Sequence, residues 1–113
     1  INYARKEHKM VLVDLCSVNK LVKRAKQIDV LAPDYICVHV GYDKQMTVAD
    51  PLNDLRKLIS VNSAKAIAGG IKISNFKKAV TSSADLIIVG SGLYNEPNRV
   101  EIAQQMRTII DRH

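Results

Sequence analysis

Ala64-Lys-Ala-Ile-Ala-Gly-Gly-Ile71 and Leu86-Ile-Ile-Val-Gly-Ser-Gly92 are short apolar runs that end abruptly in glycine. Runs of that length, rich in β-branched residues, read as strands buried on both faces, the situation of a parallel sheet. Two more precede them, Met10-Val-Leu-Val-Asp-Leu15 and Tyr35-Ile-Cys-Val-His-Val40. Between the runs the apolar residues change to helical spacing. Val18, Leu21, Val22, Ala25, Ile28 and Leu31 share one stripe, with Lys20, Lys23, Arg24 and Lys26 mostly facing away. Asp50-Pro51 is an N-cap with a first-turn proline, ahead of Leu52, Leu55, Leu58 and Ile59. Ser74 is expected to open a third helix with Phe76, Ala79 and Val80 inward. Glu96-Pro97 is expected to open a fourth, with Val100, Ala103, Met106, Ile109 and Ile110 on one face.

Strict alternation of strand and helix implies a parallel sheet with right-handed crossovers, either an open doubly wound sheet or part of a barrel. The chain has 113 residues, enough for one domain spanning 1–113. That is about half of the ~250 residues of an eight-stranded α/β barrel. It begins at Ile1, and Asn2 to His8 reads as the end of a helix, so further sequence is expected upstream.

Apolar residues make up 47% and charged residues 25%, which excludes a disordered or fibrous chain. The net charge of +6 is dispersed over several helices, in pairs such as Arg5-Lys6, Lys23-Arg24 and Lys77-Lys78. With aromatics at 4% there is no stacking platform for nucleic acid, and an acidic small ligand fits the charge better. No apolar run approaches the ~18 residues of a membrane span. Cys16 and Cys37 have neither zinc nor redox-pair spacing, and no secretory signal is evident, so reduced thiols in a cytoplasm are expected.

Polar and glycine residues gather directly after the strands, the ligand-binding edge in both architectures. Gly69, Gly70 and Ile71 follow the third strand, and Gly90, Ser91 and Gly92 the fourth. Glycine lets backbone amides approach an anion, and two such loops after consecutive strands predict one phosphate site. His39 ends the second strand, on the face of Cys37 and Tyr35, where it could hydrogen-bond a ligand or move a proton. Asp14 ends the first strand on the face of Met10 and Leu12, and a carboxylate there needs a partner, structural or substrate. Asp43 and Gln45 follow His39, as caps or as contacts to substrate hydroxyls.

The run from Tyr35 to Asp43 with Gln45, the Ala68-Gly-Gly-Ile-Lys72 loop and Asp85-Leu-Ile-Ile-Val-Gly90 together resemble the 3-hexulose-6-phosphate synthases of the orotidine-5′-phosphate decarboxylase superfamily. The likeness runs in order over essentially the whole chain. It implies an α/β fold, a TIM (β/α)8 barrel of which this chain is the C-terminal half, strands five to eight with their helices. The implied reaction is an aldol lyase step that joins formaldehyde to D-ribulose 5-phosphate through a magnesium-stabilised enediolate. By the same likeness His39 is the active-site histidine of the sixth strand, and Gly69, Gly70, Ile71, Gly90, Ser91 and Gly92 clamp the phosphate. A homodimer of the complete barrel is implied, with Mg2+ held by residues outside this chain and no metal ligand within it.

Gly41-Tyr42 and Ser91 distinguish the chain from the related 3-keto-L-gulonate-6-phosphate decarboxylases, which tend to carry arginine in both places. It also departs from the synthases. Their Asp-x-Lys-x-x-Asp motif is not in these residues, Val40 replaces a usual threonine, and Met46 to Asp50 lacks a usual glycine. Two rivals follow from the residues alone. One is a non-catalytic half-barrel that associates with another half through its sheet edges. The other is a nucleotide-binding doubly wound sheet, disfavoured because no Gly-x-Gly-x-x-Gly or Walker loop follows the first strand.

Overall fold

The computed structural model of this chain describes residues 1–41 and 50–113. Four strands form one parallel sheet: β1 (Leu12–Asp14), β2 (Tyr35–His39), β3 (Ala64–Ala68) and β4 (Leu86–Ile88). Their spatial order is β1-β2-β3-β4, the order of the sequence. A doubly wound sheet reverses its strand order at a switch point. None occurs here, so successive right-handed crossovers put every connecting helix on the same face, and the doubly wound rival is dropped.

The helices are α1 (Asn2–Lys6), α2 (Leu21–Asp29), α3 (Pro51–Arg56), α4 (Ile73–Val80), α5 (Ser91–Tyr94) and α6 (Arg99–Asp111). Asp50 caps α3 as expected, its carboxylate accepting from Leu52 N at 2.9 Å with Pro51 in the first turn. Ser74 does not open α4. The cap is Lys72, whose N–H donates to Asn75 Oδ1 at 2.9 Å while Asn75 N donates back to the Lys72 carbonyl. Glu96-Pro97 does not open the last helix either. A short α5 starts directly after Gly90, and α6 begins at Arg99 with Asn98 as its cap.

Parallel pairing puts register partners on the same face. Ile36, Val38 and Ile67, all buried, point to the helices. Under β1 and β2, Ile36 and Val38 pack with Leu15, Ala25, Leu58 and Val61. Under β3 and β4 the cluster is Leu52, Leu55, Ile67, Ile71, Phe76, Ala79, Ile102 and Met106. The apolar stripes differ from the expected ones at their ends. Leu31 is exposed just past the C-terminus of α2, and Ile59 lies beyond the end of α3. On α6 the inward residues are Ile102, Met106 and Ile109, whereas Val100, Ala103 and Ile110 face out.

Among the described residues no helix is assigned to the other face of the sheet. Tyr35, Cys37 and His39 lie there in register with Ala64, Ala66 and Ala68, flanked by Leu12, Leu86 and Ile88. Its centre is small and buried, while Met10, Leu12 and Ile88 at its margins are exposed. The accessible surface is 7751 Å² for 12.6 kDa, against about 6,200 Å² expected of a compact monomer of that mass.

At the amino ends of the strands three carboxylates tie neighbouring segments together. Asp34 Oδ2 accepts from Val11 N at 2.7 Å, and Asp85 Oδ2 from Lys65 N at 2.8 Å. Asp29 accepts from the backbone and side chains of both Asn62 and Ser63. These bonds hold its carboxyl below the ordinary value, Asn62 N–H contributing most and Ser63 Oγ–H next.

Candidate functional site

The expected ligand edge is assembled at the carboxyl ends of the strands. Over β1 and β2 it is built from side chains. Asp14 and His39 are two register positions apart, Asp14 pairing with Cys37. The His39 ring reaches back, and Nδ1 lies 2.7 Å from Asp14 Oδ2, with both side chains partly exposed. The other carboxylate oxygen accepts from Cys16 N at 2.8 Å. A carboxylate held on both oxygens fixes the ring's orientation and favours a proton on Nδ1, which leaves Nε2 to accept or deliver a proton. Asp14 thus has a structural partner that is itself a candidate catalytic group.

Cys37, beneath this pair, is fully buried. Burial first, then the charges of Asp14 and Cys16, push its thiol up to about 12, so it stays protonated and inert.

Over β3 and β4 the edge is built from backbone. Gly69 and Gly70 both take left-handed φ values, +87° and +69°. At Gly69 a Cβ would lie 2.1 Å from the Val40 carbonyl oxygen, so this glycine is required for packing against the end of β2. At Gly92 a Cβ would lie 2.0 Å from the Ile71 carbonyl oxygen. The two loops touch, and Lys72 and Gly92 pair as an isolated parallel bridge.

Together they border a cavity of about 500 Å³ whose lining includes Gly70, Ile71, Lys72, Asn75, Ser91 and Gly92 from the loops, and also the carboxylates Asp50 and Glu96 with Pro51 and Asn95. Of the six residues expected to hold phosphate, Gly70, Ile71, Ser91 and Gly92 line it, and Gly69 and Gly90 do not. Ile71 buries its side chain in the core, so only its backbone can face a ligand. Asp43 and Gln45 lie outside the described residues.

Two residues at this edge were not singled out from the sequence. Lys72 lines the cavity from the N-cap position of α4. A helix N-terminus favours negative charge, so a lysine there with no acidic residue in the first turn has no local reason. That mismatch is a signal for an anion, legible in Gly-Gly-Ile-Lys once the helix start is known. Cys16 is the other. Asp14, Cys16 and His39 each offer a ligand atom, and these atoms all lie within 4.8 Å of one another.

Magnesium requires near-octahedral oxygen ligation. Among the described residues the single group of three or more candidate ligands is this carboxylate, thiol and imidazole. One carboxylate beside a thiol and an imidazole is not the oxygen-rich donor set magnesium takes, so these residues do not fit that ion.

A singly wound parallel sheet with glycine loops and an oriented imidazole at its carboxyl rim is the arrangement of the α/β barrel class. Residues 1–106 match the family described as Orotidine 5'-phosphate decarboxylase / HUMPS family, and the chain belongs to that family. It is 49% identical over 115 residues to 3-hexulose-6-phosphate synthase 2 of Staphylococcus saprophyticus, matching 100% of this chain and 54% of the relative. It is 47% identical over 113 residues to 3-hexulose-6-phosphate synthase of Staphylococcus aureus, matching 98% of this chain and 54% of the relative. The chain therefore spans about half the length of the curated relatives it matches.

The crystal structure of 3-hexulose-6-phosphate synthase from Salmonella typhimurium superposes with a TM-score of 0.90 at 27% identity, covering 99% of this chain and 54% of that one. That of 3-keto-L-gulonate-6-phosphate decarboxylase from Vibrio cholerae superposes at 0.74 with 20% identity, covering 98% and 53%. The second likeness is one of fold. Among the described residues no helix is long and apolar enough to cross a membrane.

Proposed function

We propose that this chain is the phosphate-gripping, C-terminal half of a 3-hexulose-6-phosphate synthase, a carbon–carbon lyase that joins formaldehyde to D-ribulose 5-phosphate. The observation that carries the reading is the meeting of two glycine loops from consecutive strands at one cavity with Lys72. The loops would hold the sugar phosphate through backbone groups, and Lys72 would add the charge. His39, oriented by Asp14, would move the proton at the reacting hydroxyl or carbonyl oxygen. The names of the relatives support the substrate, and the chain's match to about half of each relative supports a larger barrel.

Residues 1–113 alone would bind phosphosugar weakly and turn nothing over, because the acid-base Asp-x-Lys-x-x-Asp motif is not among them. Calorimetry on the purified protein tests the binding step. D-ribulose 5-phosphate and inorganic phosphate should both bind, with Lys72→Ala weakening both, whereas ribulose without phosphate should not. Equal affinity for the sugar with and without its phosphate would overturn the reading. Formaldehyde consumption at ordinary enzyme rates by residues 1–113 alone would overturn the assignment of the missing chemistry.

A further inference from the structure

We propose that Asp14, Cys16 and His39 form a binding site for a thiophilic divalent cation of the zinc class, at the same rim as the proton-handling pair but distinct from any magnesium site. The inference stands on the donor geometry and does not rest on the proposed reaction. The three ligand atoms lie within 4.8 Å of one another. Ligand atoms around a tetrahedral zinc stand about 3.3–3.8 Å apart, given bonds of ~2.0–2.3 Å. Closing the difference takes movements of about an ångström, feasible because Asp14 and His39 are 43% and 32% exposed and Cys16 is partly so.

Local backbone features aim the thiol. The Cys16 N–H donates to Asp14 Oδ1, curling the chain back over its own carboxylate. Ser17 then takes a left-handed φ of +62°, which turns the chain sharply after Cys16. Gly41 stands beside the sulfur, where a Cβ would come within 3.4 Å of Cys16 Sγ, and the Ser17 hydroxyl lies 3.8 Å from the same atom.

The donor set decides the ion. One carboxylate, one thiolate and one imidazole leave a fourth tetrahedral position for water, the pattern of open zinc sites. Thiolate and imidazole select zinc, cobalt or similar ions over magnesium. On binding, the Cys16 thiol gives its proton to solvent and the His39 Nδ1 proton is released to solvent or moves through it to Nε2 as the ring nitrogen takes the metal, so uptake should strengthen as pH rises. An ion seated there withdraws the imidazole from proton transfer. Cys16 belongs to the metal site alone, and its removal should leave the His39–Asp14 pair intact.

Cobalt(II) titration of the reduced, purified protein tests the proposal by absorption. The expected result is one cobalt per chain with a near-ultraviolet sulfur-to-cobalt charge-transfer band and the visible bands of a four-coordinate ion. Cys16→Ser should abolish the charge-transfer band and weaken cobalt binding by about ten-fold or more. His39→Asn should weaken binding similarly while keeping the band at saturation, and Cys37→Ala should change neither. Zinc should displace cobalt, and a large excess of magnesium should not. A missing band in the parent protein, a band that survives Cys16→Ser, or displacement by magnesium would each overturn the proposal. Circular dichroism of the variants distinguishes a lost ligand from a lost fold, and a Cys16→Ser protein with its helical signal intact still decides the question.

Discussion

The two halves of the carboxyl rim are made of different material. Over β1 and β2 the working atoms belong to the side chains of Asp14, Cys16 and His39, all at least partly exposed. Over β3 and β4 the cavity is bordered by the loop residues Gly70, Ile71, Ser91 and Gly92, and a Cβ at Gly69 or Gly92 would lie 2.1 Å or 2.0 Å from a neighbouring carbonyl oxygen. A side-chain site can change its chemistry by substitution without disturbing the sheet. A backbone site cannot, because each of its atoms is also a structural atom. Substitutions should therefore separate by rim: loss of fold on one side, loss of chemistry on the other.

The sharpest test of that contrast is Gly69→Ala. It forces a side chain into a φ of +87° and against the Val40 carbonyl. Left-handed strain and overpacking together should cost about 3–4 kcal/mol, read as a lower urea midpoint. A stable Gly69→Ala protein would break the comparison.

On the other rim, His39→Asn should leave stability within about 0.5 kcal/mol. It should lower synthase activity of the complete protein by about a hundred-fold or more. Comparable losses of stability in both variants would erase the distinction.

Asp29→Ala probes the opposite end of the strands. It removes the acceptor shared by Asn62 and Ser63 and should cost about 1–2 kcal/mol, with no change in phosphate binding. Because the Asp29 carboxyl is held below 3.8 in the fold, its contribution is complete above that value. It drains away as pH falls through the lower folded value, so acid titration of the Asp29→Asn protein should show a shallower loss of stability.

Cys37 gives the alkaline counterpart. Its thiol rises from 9.0 to about 12 on folding, so its contribution is complete below 9.0 and is lost as pH climbs toward 12. In the native protein a thiol reagent at neutral pH should modify Cys16 and spare Cys37. The smallest effect is expected of Lys72→Ala, which should weaken inorganic phosphate about five-fold with stability unchanged within ~0.5 kcal/mol.

The strands were legible because buried parallel strands are continuous apolar runs. β2 and β3 lie where Tyr35–Val40 and Ala64–Ala68 put them, within a residue. β1 and β4 are shorter than their runs, each having one neighbour among the described residues. Helix starts were less legible, because α4 is capped by an Asn75 side chain reaching back to Lys72, a reciprocity that the serine at position 74 obscured. The glycine loops could be placed at one edge from their position after consecutive strands. That Gly69 serves the Val40 contact, while Gly70 serves the cavity, depends on a through-space approach that no local pattern encodes. The same holds for Asp14, whose partner His39 is 25 residues away and is delivered by strand register. Cys16 could not be recognised by spacing, since its fellow donors sit on two different strands.

The carboxylates at the amino ends of the strands carry a further consequence. Asp34, Asp85 and Asp29 fasten each strand's beginning to the segment beside it, remote from every group that meets a ligand. Sheet alignment is thus indexed from the floor of the molecule. An engineer could exchange the upper loops between relatives as cassettes without re-indexing the sheet, provided those three fasteners travel with the scaffold.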